Sequence, residues 1–291
     1  MNCGKSLVFK GGTSLSKGWG LIQRFSEDID LALAREFLGF TGELGKNQRD
    51  KLRKASVRYA IDQFTPGLRE AFIQAGFSEV KLVPLEPASS DNDPVKIDIY
   101  FPKLTVSDGY LKPGLQIKLG ARSLREPFTG VSVQSLVSSG VYFKNADFTD
   151  DPIEIPIVNP ERTFLEKILL LHEEHQRPEE KRRVDRLSRH MYDIYQLWKA
   201  GMFGKAFDDA TLFEVIVAHR ERFSKVKGVD YGLHKPESIR FIPPDRVLSA
   251  WDKDYGEMKE SMIYGEKPSF PELLEALTIL EQQINQVKWK K

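Results

Sequence analysis

"LVFKGGTSLSKGWGLIQRFSEDIDLAL", Leu7 to Leu33, is the stretch whose reading decides the fold. A short apolar run, Ser6 to Lys10, stops at the pair Gly11 and Gly12, after which Thr13 or Ser14 can cap a short helix reaching Trp19. From Ile29, "IDLALA" alternates acidic or small residues with Ile and Leu, the period-two pattern of a half-buried strand. The spacing predicts strand, turn, helix, strand.

Two glycines after a strand let the backbone approach a bulky anion, and the amides and hydroxyls that follow, at a helix start, can donate to phosphate oxygens. By itself a double glycine is more often an ordinary turn. Asp28 and Asp30 lie two residues apart, so on a strand they project from one face and their carboxylates can converge on a hard cation such as Mg²⁺. An isolated pair of this kind is also a common solvated strand start. The two features together, in this order and spacing, say more than either alone.

Working outward, Asn47 to Phe77 carries apolar residues at helical spacing, with Pro66 dividing it into two helices and Gly76 closing the second. "VKLVPL" from Val80, "VKIDIYF" from Val95 and "LQIKLG" from Leu115 restore strand alternation around the polar loop "EPASSDNDP". Ser123 to Val158 is ambiguous, its short apolar runs broken by Gly, Pro, Asn and Asp. Beyond Asn159 the pattern becomes helical. "NPERTFLEKILLLHEEH" sets Pro160 near a helix start with Phe164, Ile168 and Leu171 on one face. "RVDRLSRHMYDIYQLWKA", from Arg183, aligns Leu187, Met191, Ile194 and Trp198 and stops at Gly201. The expected architecture is α/β (α+β): a mixed-sheet lobe over residues 1–158 and a helical lobe over 159–291.

The chain's 291 residues, 41% hydrophobic and 29% charged, supply a substantial core and exclude global disorder. A net charge of +1 means that attraction to nucleic acid has to come from local clusters. The densest is Lys181, Arg182, Arg183, Arg186 and Arg189, which reads either as a grip on an RNA backbone or as a solvated helix face. Cys3 is the only cysteine, which rules out an internal disulfide and a cysteine-cluster zinc site and fits a reducing, cytoplasmic setting. No apolar stretch approaches the roughly 18 residues of a membrane span, and His172, His175 and His190 have no metal-ligand spacing. From composition alone, Lys167 and Asp193 read as an ion pair between packed helices, and Asp98 as a carboxylate that needs a partner if buried.

The segments "FKGGTSLSK", "RFSEDIDL", "VKIDIYF", "PERTFLEKI" and "RHMYDIYQL" occur in this order from Phe9 to Leu197. Their run resembles the signature of nucleotidyltransferases with the DNA polymerase beta fold. It is closer still to the AbiEii/AbiGii-type nucleotidyltransferase toxins of abortive-infection toxin–antitoxin pairs, including the mycobacterial MenT group. The resemblance implies that Gly11, Gly12, Thr13 and Ser14, with Lys17 beside them, hold a triphosphate. It matches Ser26 and Asp28 to the family's serine and first catalytic aspartate, Asp30 to the second metal carboxylate, and Asp98 to a third. Lys167 and Asp193 match the lysine and aspartate that the helical lobe supplies.

The activity so implied is Mg²⁺- or Mn²⁺-dependent transfer of a nucleoside monophosphate from an NTP to RNA, with the tRNA 3′ end as acceptor. A cognate antitoxin is the implied protein partner, with no membrane involved. Transfer to a protein or small-molecule hydroxyl stays open at this point, as does a catalytically silent nucleotide- or RNA-binding module, against which the intact Asp28 and Asp30 count. The interval from Gly12 to Asp28 is longer than in the polymerase signature, and the chain starts almost at its first strand, where relatives have preceding helices. A shortened or alternatively started N-terminus is the expectation.

Overall fold

Strand alternation in the sequence resolves into one mixed sheet. The computed structural model describes residues 3–26, 28–85, 93–102, 114–135, 138, 150–208 and 210–289. Among them, seven strands pair in one sheet: β1 (Leu7–Lys10), β2 (Asp28–Leu33), β3 (Lys81–Pro84), β4 (Val95–Tyr100), β5 (Leu115–Gly120), β6 (Phe128–Val133) and β7 (Ile153–Val158). Their order is β3-β4-β5-β2-β1-β7-β6. The pairs β2–β5 and β1–β7 are parallel and the remaining four antiparallel.

Most of the loop expected at Glu86–Pro94 lies outside the described residues, as does part of the ambiguous stretch. What is described of that stretch includes β6 and β7. Their exposed, mixed side chains and Gly130 and Pro156 hide the alternation that a half-buried strand would show.

The chain divides into two compact units, Met1–Gly20 with Ser26–Asn159, and Leu21–Phe25 with Pro160–Lys291. The short segment Leu21–Phe25, which the sequence reading assigns to the first lobe, thus belongs with the helices.

In the sheet unit, the side chains of β2, β4 and β5 separate by face. Val95, Ile97, Ile99, Ile117 and Leu119 are buried on one side. On the other stand Asp28, Asp30, Lys96, Asp98, Gln116 and Lys118, none of them buried. A strand whose alternate positions are apolar has this division forced on it, because successive side chains point to opposite faces.

Helix α1 (Gly11–Lys17) follows β1, and α2 (Lys46–Tyr59) and α3 (Thr65–Gln74) are joined by a π-type turn at Ala60–Phe64. Pro66 marks the division into two helices, as expected. It sits in the first turn of α3, where its missing N–H costs least, and the widened turn ahead of it absorbs the mismatch. The Thr65 hydroxyl donates to the Ala60 carbonyl at 2.7 Å, so that carbonyl is satisfied. Gly76, at φ +87°, closes α3, with Phe77 N–H donating to the Phe72 carbonyl at 2.8 Å.

The helical unit contains α4 (Pro160–Gln176), α5 (Ser188–Lys199), α6 (Met202–Phe207), α7 (Ala210–Phe223), α8 (Leu248–Ser261) and α9 (Phe270–Asn285). Phe164, Ile168 and Leu171 on α4 are completely buried, as are Met191 and Ile194 on α5. Each such side chain contributes about 1.5–3 kcal/mol by leaving water.

Helix α5 begins five residues later than the sequence pattern suggests. Arg186 takes a left-handed conformation at φ +60°, and the Asp254 carboxylate of α8 accepts from the backbone amides of Arg186 (2.6 Å) and Ser188 (2.9 Å). This distant carboxylate does the work of an N-cap side chain, which no local sequence signal reveals.

Candidate active site

The turn between β1 and α1 is built against Asp30. Gly11 adopts φ +81°, and a Cβ there would overlap Asp30 Oδ2, so the position needs glycine for both its backbone conformation and its closeness to the carboxylate. Register places Lys10 opposite Asp30 across the β1–β2 pair.

The hydroxyls of this turn are used within the unit rather than as a helix cap. Thr13 donates to the Asp28 carbonyl, and Ser14, fully buried, donates to the Gly11 carbonyl at 2.8 Å. The N-cap position is Lys10, with no side-chain cap. The expectation that Thr13 or Ser14 caps the helix is therefore corrected: α1 starts at Gly11, and the two hydroxyls tie the turn to β2 and to itself. Lys17 is exposed at the helix end, and Ser26 is half-buried ahead of β2.

The three sheet aspartates share a face. Asp28 and Asp30 alternate along β2, and Asp98 on β4 stands in the same cross-strand row as Gln116 and Asp28. Each is compensated by a neighbour from β4 or β5 where a bond is formed. Lys118 Nζ reaches Asp28 Oδ2 at 2.5 Å, with the two side chains 22% and 19% exposed. Gln116 Nε2 donates to Asp98 Oδ1 at 2.7 Å, and the Tyr100 hydroxyl to Asp98 Oδ2 at 3.3 Å.

Carboxylate oxygens are the donors that a hard divalent cation requires, and Asp28 and Asp30 offer them from one partly solvated face. Among the described residues no group of three His, Cys, Asp or Glu is arranged to hold a metal ion. Asp28 and Asp30 thus share one face, and Asp98 is held there by its amide and hydroxyl partners. The sequence reading missed Lys118 and Gln116. Their signal was the alternation of "LQIKLG", which puts both on the face opposite Ile117 and Leu119.

In the helical unit, Lys167 on α4 and Asp193 on α5 form the ion pair between packed helices that composition alone suggests, and a third residue joins them. Arg24 Nε and Nη2 donate to the two Asp193 oxygens, each at 2.7 Å, and Lys167 Nζ lies 2.9 Å from Oδ2. Arg24 is 2% exposed, Asp193 0% and Lys167 7%. His190 Nδ1 is 3.4 Å from Lys167 Nζ.

Burial alone would raise the Asp193 pKa, but the Arg24 and Lys167 charges outweigh it and hold the carboxyl well below the usual range. Burial lowers the Lys167 pKa, with Asp193 opposing and Arg24 adding to the shift. The His190 ring is held well below the ordinary histidine range by loss of solvent and by the Lys167 charge.

The basic run is less free than its composition suggests. Arg183 pairs with the buried Glu174 through two nitrogens at 2.6 and 3.1 Å, and Arg182 Nε donates to the Arg177 carbonyl at 2.9 Å. Arg186 contributes its backbone to the start of α5, and Arg189 lies half-buried beside His190 in sequence. Among the described residues no helix is long and apolar enough to cross a membrane, and Cys3 is a buried free thiol.

No curated protein matches the chain. Among solved structures, it is similar to MenT4, a nucleotidyltransferase toxin from Mycobacterium tuberculosis H37Rv, at 16% identity and a TM-score of 0.46 over 97% of this chain and 80% of that one. The family model described as nucleotidyl transferase AbiEii toxin, type IV toxin–antitoxin system, matches residues 2–277. With nearly its whole length matched, the chain belongs to the AbiEii family of nucleotidyltransferase toxins.

Proposed function

We propose that the protein transfers a nucleoside monophosphate from an NTP to RNA, with the tRNA 3′ end as acceptor, and that this is how it acts as a toxin under the control of a cognate antitoxin. The observation that carries the reading is the Asp28–Asp30 pair on a half-exposed sheet face, closed against the glycine turn that opens α1.

The backbone amides after Gly11 and Gly12 lie at a helix start, where dipole and unpaired N–H groups favour a triphosphate. The Thr13 and Ser14 hydroxyls fix that turn through their bonds to Asp28 and Gly11, and Lys17 and Ser26 flank it. Asp28 and Asp30 are the residues that would hold Mg²⁺ or Mn²⁺, with Asp98 as the third carboxylate of the same face. When bound, such an ion supplies positive charge to the phosphoryl oxygens.

Lys118 occupies Asp28 otherwise, and a half-exposed pair of this kind is weak enough to be exchanged. In the transfer, the acceptor hydroxyl oxygen bonds to the α-phosphorus as the bond from that phosphorus to the pyrophosphate oxygen breaks. Pyrophosphate leaves with the bonding pair. Asp98, whose carboxylate already accepts from Gln116 and Tyr100, takes the hydroxyl proton. In the helical unit, Lys167 is the cation for phosphate charge and Asp193 the carboxylate that orients it. Arg182, Arg183, Arg186 and Arg189 are the residues proposed to contact the RNA backbone, Arg183 in competition with Glu174.

The test is incubation of the protein with each α-labelled NTP, Mg²⁺ and total tRNA. Label at the RNA 3′ end supports the reading and names the base. Label on protein instead, or on no RNA with any NTP, overturns the RNA acceptor.

A further inference from the structure

Asp193 is an anion shared by two cations, and the sharing is unequal. Arg24 presents a planar fork that engages both carboxylate oxygens, each at 2.7 Å, whereas the Lys167 ammonium lies 2.9 Å from Oδ2 and is no planar fork. Arg24 is itself fixed. Its Nη1 donates to the Phe25 carbonyl at 2.9 Å, and Phe25 N–H donates to the Met262 carbonyl at 2.8 Å. Arg24 also bridges Ile263 as a one-residue β-pair, and Tyr264 N–H donates to the Gln23 carbonyl at 3.0 Å. A carboxylate clamped in this way holds Oδ2, the oxygen beside Lys167, in one place.

Within this buried group, Arg24 and Lys167 carry two positive charges against the one of Asp193. Beside them, the His190 ring lies 3.4 Å from the Lys167 ammonium, and Arg189 adds positive charge. The ammonium is thus held at a defined point beside a carboxylate that it shares with a second cation.

We propose that Arg24 is a positioning residue: it locks Asp193 so that the carboxylate orients the Lys167 ammonium without neutralising it. This rests on the reading of Lys167 as the cation for phosphate. Loss of Arg24 would leave Asp193 to Lys167 alone, making a closed ion pair with less charge to offer. The direction of the Lys167 pKa agrees, since the Arg24 charge lowers it and Asp193 raises it.

The test uses the full chain and the variants Arg24→Gln, Arg24→Lys and Lys167→Met. Lysine side chains are labelled for NMR, the Lys167 resonance being the one missing in Lys167→Met. The expected result is that Lys167 titrates at higher pH in Arg24→Gln than in the wild type. Label transfer to RNA falls by about 10²-fold in kcat with little change in KM for the NTP, and Arg24→Lys recovers part of both. A role confined to stability would lower the melting temperature of Arg24→Gln and leave the Lys167 titration where it was, which overturns the proposal. If Arg24→Gln fails to fold, Arg24→Lys decides: a Lys167 titration and kcat both at wild-type values would overturn it, since an ammonium lacks the rigid planar fork that fixes both oxygens. Full activity of Lys167→Met would instead remove the phosphate reading of Lys167, while the Lys167 titration in Arg24→Gln still reports whether Arg24 controls that charge.

Discussion

The acidic residues of the sheet face and the acidic residue of the helical unit are held in opposite ways. Asp28 is partly solvated, and its lysine partner, Lys118, is equally so. Asp193 has no exposed surface and is gripped by an arginine and a lysine that are nearly as buried. An ion pair that keeps contact with water is partly compensated by solvent when one partner leaves, so its partner is exchangeable. A buried charge has to be compensated completely and in one geometry. On the proposed reading, the sheet face serves groups that come and go, such as an NTP and its cation, and the helical cluster a fixed charge that waits in place.

The comparison is most strongly tested at the buried end. Asp193→Asn leaves Arg24 and Lys167 without their anion, and chemical denaturation should show a loss of about 3–5 kcal/mol. The same carboxylate gives a pH signature. Its folded-state pKa is depressed, so its contribution is complete above the unfolded value of about 4 and is lost as pH falls from there toward the folded value. Wild-type stability should decline through that acidic window more steeply than that of Asp193→Asn.

A smaller effect is expected at the glycine turn. Gly11→Ala forces a side chain into left-handed backbone and against Asp30, costing about 1–2 kcal/mol from backbone conformation. Denaturation should register that loss, and cation affinity should fall as Asp30 is displaced.

The smallest effect belongs to the exchangeable pair. Lys118→Met removes the competitor at Asp28 with almost no stability change, and Mn²⁺, followed by electron paramagnetic resonance, should bind about two- to five-fold more tightly. Weaker binding would mean that Lys118 assists the cation rather than competing with it.

Much of the fold was legible because its signals are local. β1, α1 and β2 follow from an apolar run, a glycine pair and period-two alternation, and β4 and β5 from "VKIDIY" and "LQIKLG". What stayed hidden depends on contacts far apart in sequence. Asp254 caps α5 from 66 residues away, and Arg24 binds Asp193 from 169 residues away. β6 and β7 lack a buried apolar face for most of their length, so no alternation marks them. The aspartates of the candidate site were visible as a spacing, but their partners Lys118 and Gln116 emerged only once β2, β4 and β5 were aligned in register.

The most direct test of the exchangeable sheet face as the working site is single-turnover transfer of α-labelled NTP to tRNA by Asp28→Asn, with its folding verified against the wild type by thermal denaturation. The account predicts a folded protein whose transfer rate falls by on the order of 10²- to 10³-fold. A folded Asp28→Asn protein that transfers label at the wild-type rate would contradict it.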